Sequence, residues 1–296
     1  MLLVKHPATS GQRSWSIANI IFLIGCAALV LPVMIEVARF SWATEQGGHG
    51  PIVLATGLWL LWREVKSTTA PRTRPARPVL AWLALTGFLL AFIVARITGI
   101  LELEAMMMYP AVIIAIYLLF GGALLRAIWF PLLYLAFTLP PPDTVVAAVT
   151  QPIKIAISSF AVTLLHALGY PIASAGVTIQ IAQYELLVAA ACAGLNSIVS
   201  LAAICLFYVY LRHRNDVRSF VVVVMAIIPV AIFSNFVRVL VLILVTYYFG
   251  EAAAQGFIHD FAGLLMFTVA LLTIFAVDSV HSRLRFRRRA PDAIPA

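Results

Sequence analysis

Three polar side chains in the C-terminal half of the chain form a chemically complete set. Cys192 lies in Ala189-Ala190-Ala191-Cys192-Ala193-Gly194, Arg238 in Phe236-Val237-Arg238-Val239-Leu240, and His259 in Phe257-Ile258-His259-Asp260. A thiolate is a strong nucleophile, and histidine can take up and return a proton. Arginine stays charged and can stabilise a thiolate or an oxyanion. The set predicts nucleophilic catalysis by Cys192, with His259 and Arg238 as its catalytic partners.

Four further residues are predicted to support this site. Glu185 lies two helical turns before Cys192 and Asn196 one turn after it, while Asn235 precedes Arg238 by three residues and shares its helical face. His49 stands at the start of an apolar segment. CxxC and CxxH spacings are absent, so neither a metal nor a cofactor is expected.

Each catalytic candidate also has a purely structural interpretation. A membrane cysteine is usually a small buried hydrophobic residue, which is how Cys26 and Cys205 are interpreted. Arg238 could extend to the membrane interface or pair with one acid. His259 could be an interfacial residue without a role. The functional interpretation therefore depends on whether the fold brings the three residues together.

The composition is typical of a membrane protein. Of 296 residues, 63% are hydrophobic and 11% are charged, whereas soluble domains have roughly 25% charged residues. This excludes an ordinary soluble enzyme, a disordered chain and a coiled coil. The predicted fold class is all-α: a polytopic helical membrane protein.

Apolar segments predict about eight transmembrane helices within one domain over residues 1–296. A cytoplasmic loop is expected at 64–78 and a periplasmic loop at 140–185. The latter should contain an interfacial helix at 144–168 and a short strand or hairpin turning at Gly176. The predicted spans are 15–38, 49–63, 79–99, 102–120, 123–139, 186–211, 219–246 and 255–279.

The basic residues predict the orientation of these spans. Lys and Arg accumulate in cytoplasmic loops, and sixteen of the 20 basic residues fall on one side of the eight-span arrangement. Both termini are therefore expected in the cytoplasm. Alternating spans then place Cys192, Arg238 and His259 in the outer half of the bilayer. Because the basic clusters are short and juxtamembrane, no nucleic acid is expected as a partner.

The same residues carry a family resemblance. The chain resembles the exosortase/archaeosortase family of membrane cysteine transpeptidases. In chain order the matching segments are Gly48-His49-Gly50 with Leu60-Leu61-Trp62-Arg63, Phe137-Thr138-Leu139-Pro140-Pro141-Pro142, Glu185 with Ala191-Cys192-Ala193-Gly194-Leu195, Asn235-Phe236-Val237-Arg238, and His259-Asp260-Phe261-Ala262-Gly263. Two positions depart from the family pattern: Ala193 replaces the usual serine, and Asn196 replaces a common arginine.

The resemblance implies a function. Exosortases are thought to cleave C-terminal sorting tails of the PEP-CTERM kind, which combine a short Pro-containing motif, a transmembrane helix and a basic cluster. Cleavage would occur at the periplasmic face of the bacterial inner membrane. The partners would be membrane-anchored proteins with such tails, in processes linked to surface sorting and exopolysaccharide. Two alternatives stay open: a transporter, or a non-catalytic assembly subunit for polysaccharide or secretion.

The predicted orientation can be tested with topology reporters. Alkaline phosphatase and green fluorescent protein fusions at Ala70 and at Ser174 should give opposite signals, because the first position is predicted in the cytoplasm and the second in the periplasm. Equal signals at the two positions would contradict the eight-span arrangement.

Overall fold

The protein is a bundle of apolar helices with one small sheet. The computed structural model describes residues 17–44, 47–69, 73, 75–175, 178–187, 198–214, 216–250 and 257–289. Its elements are α1 (Ile17–Phe40), α2 (Gly50–Ser67), α3 (Pro78–Thr98), α4 (Leu101–Ala127), α5 (Trp129–Leu135), a 3₁₀ turn (Ala136–Thr138), α6 (Asp143–Ala167), β1 (Ile172–Ala175), β2 (Thr178–Ile181), β3 (Tyr184–Leu187), α7 (Ile198–His213), α8 (Val217–Phe249) and α9 (Phe257–Arg289).

These helices confirm the predicted fold class of a multi-span, all-α membrane protein. Within the described ranges, α1, α3, α4, α6, α8 and α9 are long and apolar enough to cross a membrane by length and composition. Two shorter apolar helical segments cover Trp129–Thr138 and Val199–His213. The count of eight spans and the cytoplasmic location of both termini stay predictions.

The predicted fifth span, 123–139, is wrong as a single helix. The boundary before it is confirmed, because Gly121 breaks the helical geometry inside α4 with φ 79° and ψ 175°. A Cβ at this glycine would lie 2.2 Å from the carbonyl oxygen of Thr73, so no other residue fits the turn. A second break at Ile128 separates α4 from α5.

The predicted start of the sixth span is also wrong. Leu186 and Leu187 belong to strand β3, which pairs antiparallel with β2, and the next described helix begins at Ile198. The predicted hairpin is confirmed, since β1 and β2 pair antiparallel, with Ala175 opposite Thr178. Gly176 itself lies outside the described residues. The apolar run from residue 186 onward predicts a membrane helix by its length, although its first two residues complete the third strand of the sheet.

The segment 140–185 is part of the core. The predicted helix at 144–168 is confirmed as α6, and it packs with the sheet against the C-terminal half of α8. That α6 lies along the membrane interface stays a prediction. The buried members of this cluster are Ile157, Ala161, Val162, Leu165, Ile172, Ile179, Ile181, Val239 and Ile243.

Polar side chains tie the helices together at the other end of the bundle. Asp278 of α9 is 4% exposed and accepts hydrogen bonds from the Tyr208 hydroxyl and His213 Nε2, both at 2.7 Å. Arg214 binds the carboxylate of Glu64, which is 2% exposed, at 2.5 Å. These contacts join α2, α7 and α9.

Two further contacts join α8 to α9 at this end. Arg285 binds the carboxylate of Asp216, and His281 Nε2 lies 3.2 Å from the Ser219 hydroxyl. The Asp216 side chain also accepts from the backbone N–H of Ser219, which caps the start of α8. These polar side chains form a paired group at one end of the bundle, which we call the paired base. Its members are Glu64, Tyr208, His213, Arg214, Asp216, Ser219, Asp278, His281 and Arg285.

The buried carboxylate of Asp278 should be required for stability. Asp278→Leu leaves the Tyr208 hydroxyl and the His213 ring without an acceptor, which should cost about 3 kcal/mol. Thermal unfolding of the detergent-purified protein should show a large decrease in the melting temperature for Asp278→Leu and a smaller one for Asp278→Asn. Ser282→Ala is the control, because Ser282 makes only a 3.4 Å bond to the same carboxylate. Equal melting temperatures for Asp278→Leu and the parent would contradict this role.

Candidate functional site

Arg238 and Asn235 share the buried face of α8, as their spacing predicts. The whole Arg238 residue is 3% exposed and Asn235 is fully buried. At about 1.5 Å per residue, Arg238 lies roughly 32 Å from the start of α8 and 17 Å from its end. The amide of Asn235 has no hydrogen-bond partner among the described residues.

The C-terminal half of α8 packs through one face on the segment predicted as the periplasmic loop. Val239 and Ile243 are fully buried in the cluster formed with α6 and the sheet. Phe160 of α6 packs against Phe236, with ring centroids 5.1 Å apart. Arg238 follows Ala231 by about two helical turns, so it lies on the other face of α8, in line with the residues that pack against α7 and α9.

The pairing of α8 with α9 places the backbone of His259 near the level of Arg238. These helices are antiparallel, and the contact between His281 and Ser219 fixes their register. His259 is roughly 22 residues before His281, and the same count along α8 reaches position 241, less than one turn beyond Arg238. The side chain of His259 lies outside the described residues, although its backbone belongs to α9.

The start of α7 also lies near this level. The Asp216 N–H donates to the carbonyl of His213 at 3.0 Å, so α7 and α8 are joined by a tight turn. The 16 residues of α7 rise about 24 Å from this turn, which corresponds to about position 232 of α8. The chain that leads into α7 carries Cys192 and Asn196, and both lie outside the described residues.

The segment with Cys192 is anchored at its other end by the sheet. Glu185 lies in β3, where its Cα is paired with Gln180 of β2, and both strands contact α8. Its side chain lies outside the described residues. Since β3 and α7 both pack against α8, the intervening chain begins and ends beside the helix that carries Arg238.

His49 links three segments of the chain. Its Nε2 lies 3.1 Å from the carbonyl oxygen of Phe137, and its Nδ1 lies 2.7 Å from the Ser200 hydroxyl. A carbonyl only accepts, so Nε2–H is the donor and Nδ1 of the neutral ring accepts from Ser200. His49 therefore fastens the first turn of α7 to the 3₁₀ turn.

The glycine that follows His49 permits a close approach. A Cβ at Gly50 would lie 2.1 Å from the indole nitrogen of Trp42. The same nitrogen donates to the carbonyl oxygen of Thr138 at 3.2 Å. The Gly-His-Gly segment thus packs against the loop before it and against the 3₁₀ turn.

A cavity of about 160 Å³ lies beside His49. It adjoins Val199, next to Ser200 at the start of α7. No Lys or Arg is among its lining residues, which include Phe40, Trp42, Glu102, Phe137, Thr138 and Asp143.

Sequence reasoning missed several polar contacts. Ser200 was not identified as the partner of His49, because nothing local to a serine in an apolar run marks a contact 151 positions away. Asp278 offered a clearer signal, since a carboxylate inside a predicted span requires a partner. Within the described ranges, no group of three or more His, Cys, Asp or Glu side chains could hold a metal ion.

Comparison with known proteins gives one family-level result. The family model described as Transmembrane exosortase (Exosortase_EpsH) matches residues 42–276, well over half of the chain. No curated protein and no solved structure matches the chain. The matched region begins at Trp42 and includes His49, Arg238 and the first half of α9.

The bond between His49 and Ser200 should appear as an energetic coupling. His49→Ala and Ser200→Ala should each lower the melting temperature of the purified protein, and the double variant should lower it by less than the sum. Thr163→Ala is the control partner, because its hydroxyl donates only to Ser159 of its own helix. Strict additivity of His49→Ala with Ser200→Ala would show that the two side chains do not interact.

Proposed function

Because this chain belongs to the transmembrane exosortase family, we propose that it is a membrane-embedded cysteine transpeptidase. It cleaves C-terminal sorting tails of the PEP-CTERM kind at the periplasmic face of the bacterial inner membrane. The observation that carries this proposal is the burial of Arg238, 3% exposed, in the helix against which both β3 and α7 pack. A charge inside a membrane-spanning helix costs about 2.5–3.5 kcal/mol on insertion scales, so its retention calls for a function.

The chemistry follows from three residues. The Cys192 thiolate attacks the scissile carbonyl, forming a C–S bond, while His259 accepts the thiol proton. The tetrahedral intermediate collapses with cleavage of the C–N bond, and His259 returns the proton to the leaving amine. An acceptor amine or water then attacks the thioester and releases Cys192.

Arg238 supplies the charge that this sequence of steps needs. Apolar burial alone would raise the pKa of a cysteine thiol, so a thiolate inside the bundle requires a nearby cation. The guanidinium also stabilises the oxyanion of the tetrahedral intermediate, and the burial of Arg238 strengthens that effect. Glu185, Asn196 and His49 act as supporting residues that position the segments around the three.

The tail helix of a substrate would lie against the outer part of α9. A Cβ added at Gly263 has no neighbouring atom within 4 Å. The flanking Phe261 and Leu264 are exposed. An open, apolar face with a glycine permits the close approach of another helix.

A substitution series tests the mechanism in cells that express a reporter with a sorting tail. Cys192→Ala should abolish tail cleavage, whereas Cys26→Ala and Cys205→Ala should leave it unchanged. Arg238→Lys should lose most activity, since lysine keeps the charge but not the planar fork. His259→Ala should be close to inactive, and His166→Ala, at an exposed position near the end of α6, is its control.

Immunoblotting of membranes must show that each variant accumulates to the parent level. Cleavage by a well-expressed Cys192→Ala variant would eliminate the cysteine mechanism. Full activity of Arg238→Lys would show that the planar guanidinium is not required.

A further inference from the structure

Asn235 differs from the other polar residues in the C-terminal half of α8. Its side chain is fully buried, yet neither Oδ1 nor Nδ2 has a hydrogen-bond partner among the described residues. Ser234 and Thr246 are equally buried, but their hydroxyls donate to the carbonyl oxygens of Val230 and Leu242, each at 2.8 Å. The described part of the fold therefore provides hydrogen-bond acceptors for the hydroxyls of Ser234 and Thr246 but no hydrogen-bond partner for the carboxamide of Asn235.

An unsatisfied buried amide lowers the stability of a protein. Leaving a buried donor or acceptor without a partner is unfavourable, whereas an apolar side chain of similar shape is neutral or stabilising at such a site. Among the described residues, no donor or acceptor uses the polarity of Asn235. The amide therefore has the properties of a group whose partner is a bound substrate.

A cleaved tail needs such a group. A transmembrane helix satisfies its own backbone, but cleavage requires local unwinding around the scissile bond. Unwinding releases N–H and C=O groups that lipid cannot satisfy. A carboxamide offers an acceptor and donors on one rigid side chain. A guanidinium has donors only, so Arg238 cannot bind a released N–H.

We propose that Asn235 binds the unwound backbone of the substrate next to the scissile bond. Its Oδ1 accepts from a substrate N–H, and its Nδ2 donates to a substrate C=O. Asn235 lies one turn from Arg238 on the same buried face of α8. The two residues then have different roles. Arg238 stabilises the negative charge of the thiolate or oxyanion, and Asn235 holds the substrate peptide in the extended form that can be attacked. This proposal rests on the proposed function.

The test separates substrate binding from folding. Asn235→Leu and Asn235→Ala are compared with Thr246→Val, which removes an equally buried polar group from the same helix. The readouts are the thermal stability of the purified full chain and the cleavage of a reporter carrying a Pro-containing motif, a transmembrane helix and a basic cluster. In the Cys192→Ala background, the amount of intact reporter that co-purifies measures binding directly.

We expect Asn235→Leu to retain or exceed the parent melting temperature while cleavage falls at least tenfold. Co-purification with the Cys192→Ala protein should fall to a similar extent when Asn235→Leu is added. Thr246→Val should leave both readouts unchanged.

Two results would overturn the proposal. Parent-like cleavage by the Asn235 variants would show that the amide does not bind substrate. A large loss of thermal stability in both variants would show that the amide serves the fold. Cleavage by Cys192→Ala itself would refute the proposed function instead, so the two failures are distinguishable.

Discussion

The burial of polar groups among apolar helices is the constraint on which this structure depends. Lipid offers no hydrogen bonds, so each polar side chain inside the bundle must find a partner in the protein or in a substrate. At the end that contains Asp278 and Glu64, the described polar groups pair with one another across helices. In the C-terminal half of α8, Arg238 and Asn235 are also buried, and the Asn235 amide has no hydrogen-bond partner among the described residues.

The paired contacts at the first end also set the relative positions of the helices. The paired base joins α2, α7, α8 and α9, and it fixes the register of α8 against α9. Because helices are stiff over their length, the contacts that align α8 with α9 at the paired base also determine which residues of the two helices lie side by side farther along the bundle. The alignment of Arg238 with the backbone of His259 is therefore a consequence of contacts made far from both residues.

The second determinant is the segment between α5 and α7. Its sequence indicates an external loop with a helix and a hairpin, and in the structure both elements pack against α8. This packing buries the face of α8 that contains Val239 and Ile243. His49 reinforces this arrangement by fastening the first turn of α7 to the 3₁₀ turn that precedes α6.

Much of this protein was determined by the sequence alone. The apolar runs predicted α1, α3 and α8 to within a few residues, because a continuous run of that length has no other way to satisfy its backbone in a membrane. The predicted start of α9 is equally close, although the helix continues ten residues beyond the predicted end at residue 279. The boundary predicted after residue 120 coincides with Gly121, whose positive φ only glycine adopts readily. The cysteine chemistry inferred from the types and spacing of Cys192, Arg238 and His259 stays a prediction.

Only the tertiary structure decided how these parts meet. The break at Ile128 and the strand that contains Leu186 lie within apolar runs, where strand and helix have the same composition and packing decides between them. The pairing of His49 with Ser200 and the burial of Asn235 without a partner were equally invisible in the sequence. Both depend on which faces of distant helices come together, and no local pattern of residues encodes that contact.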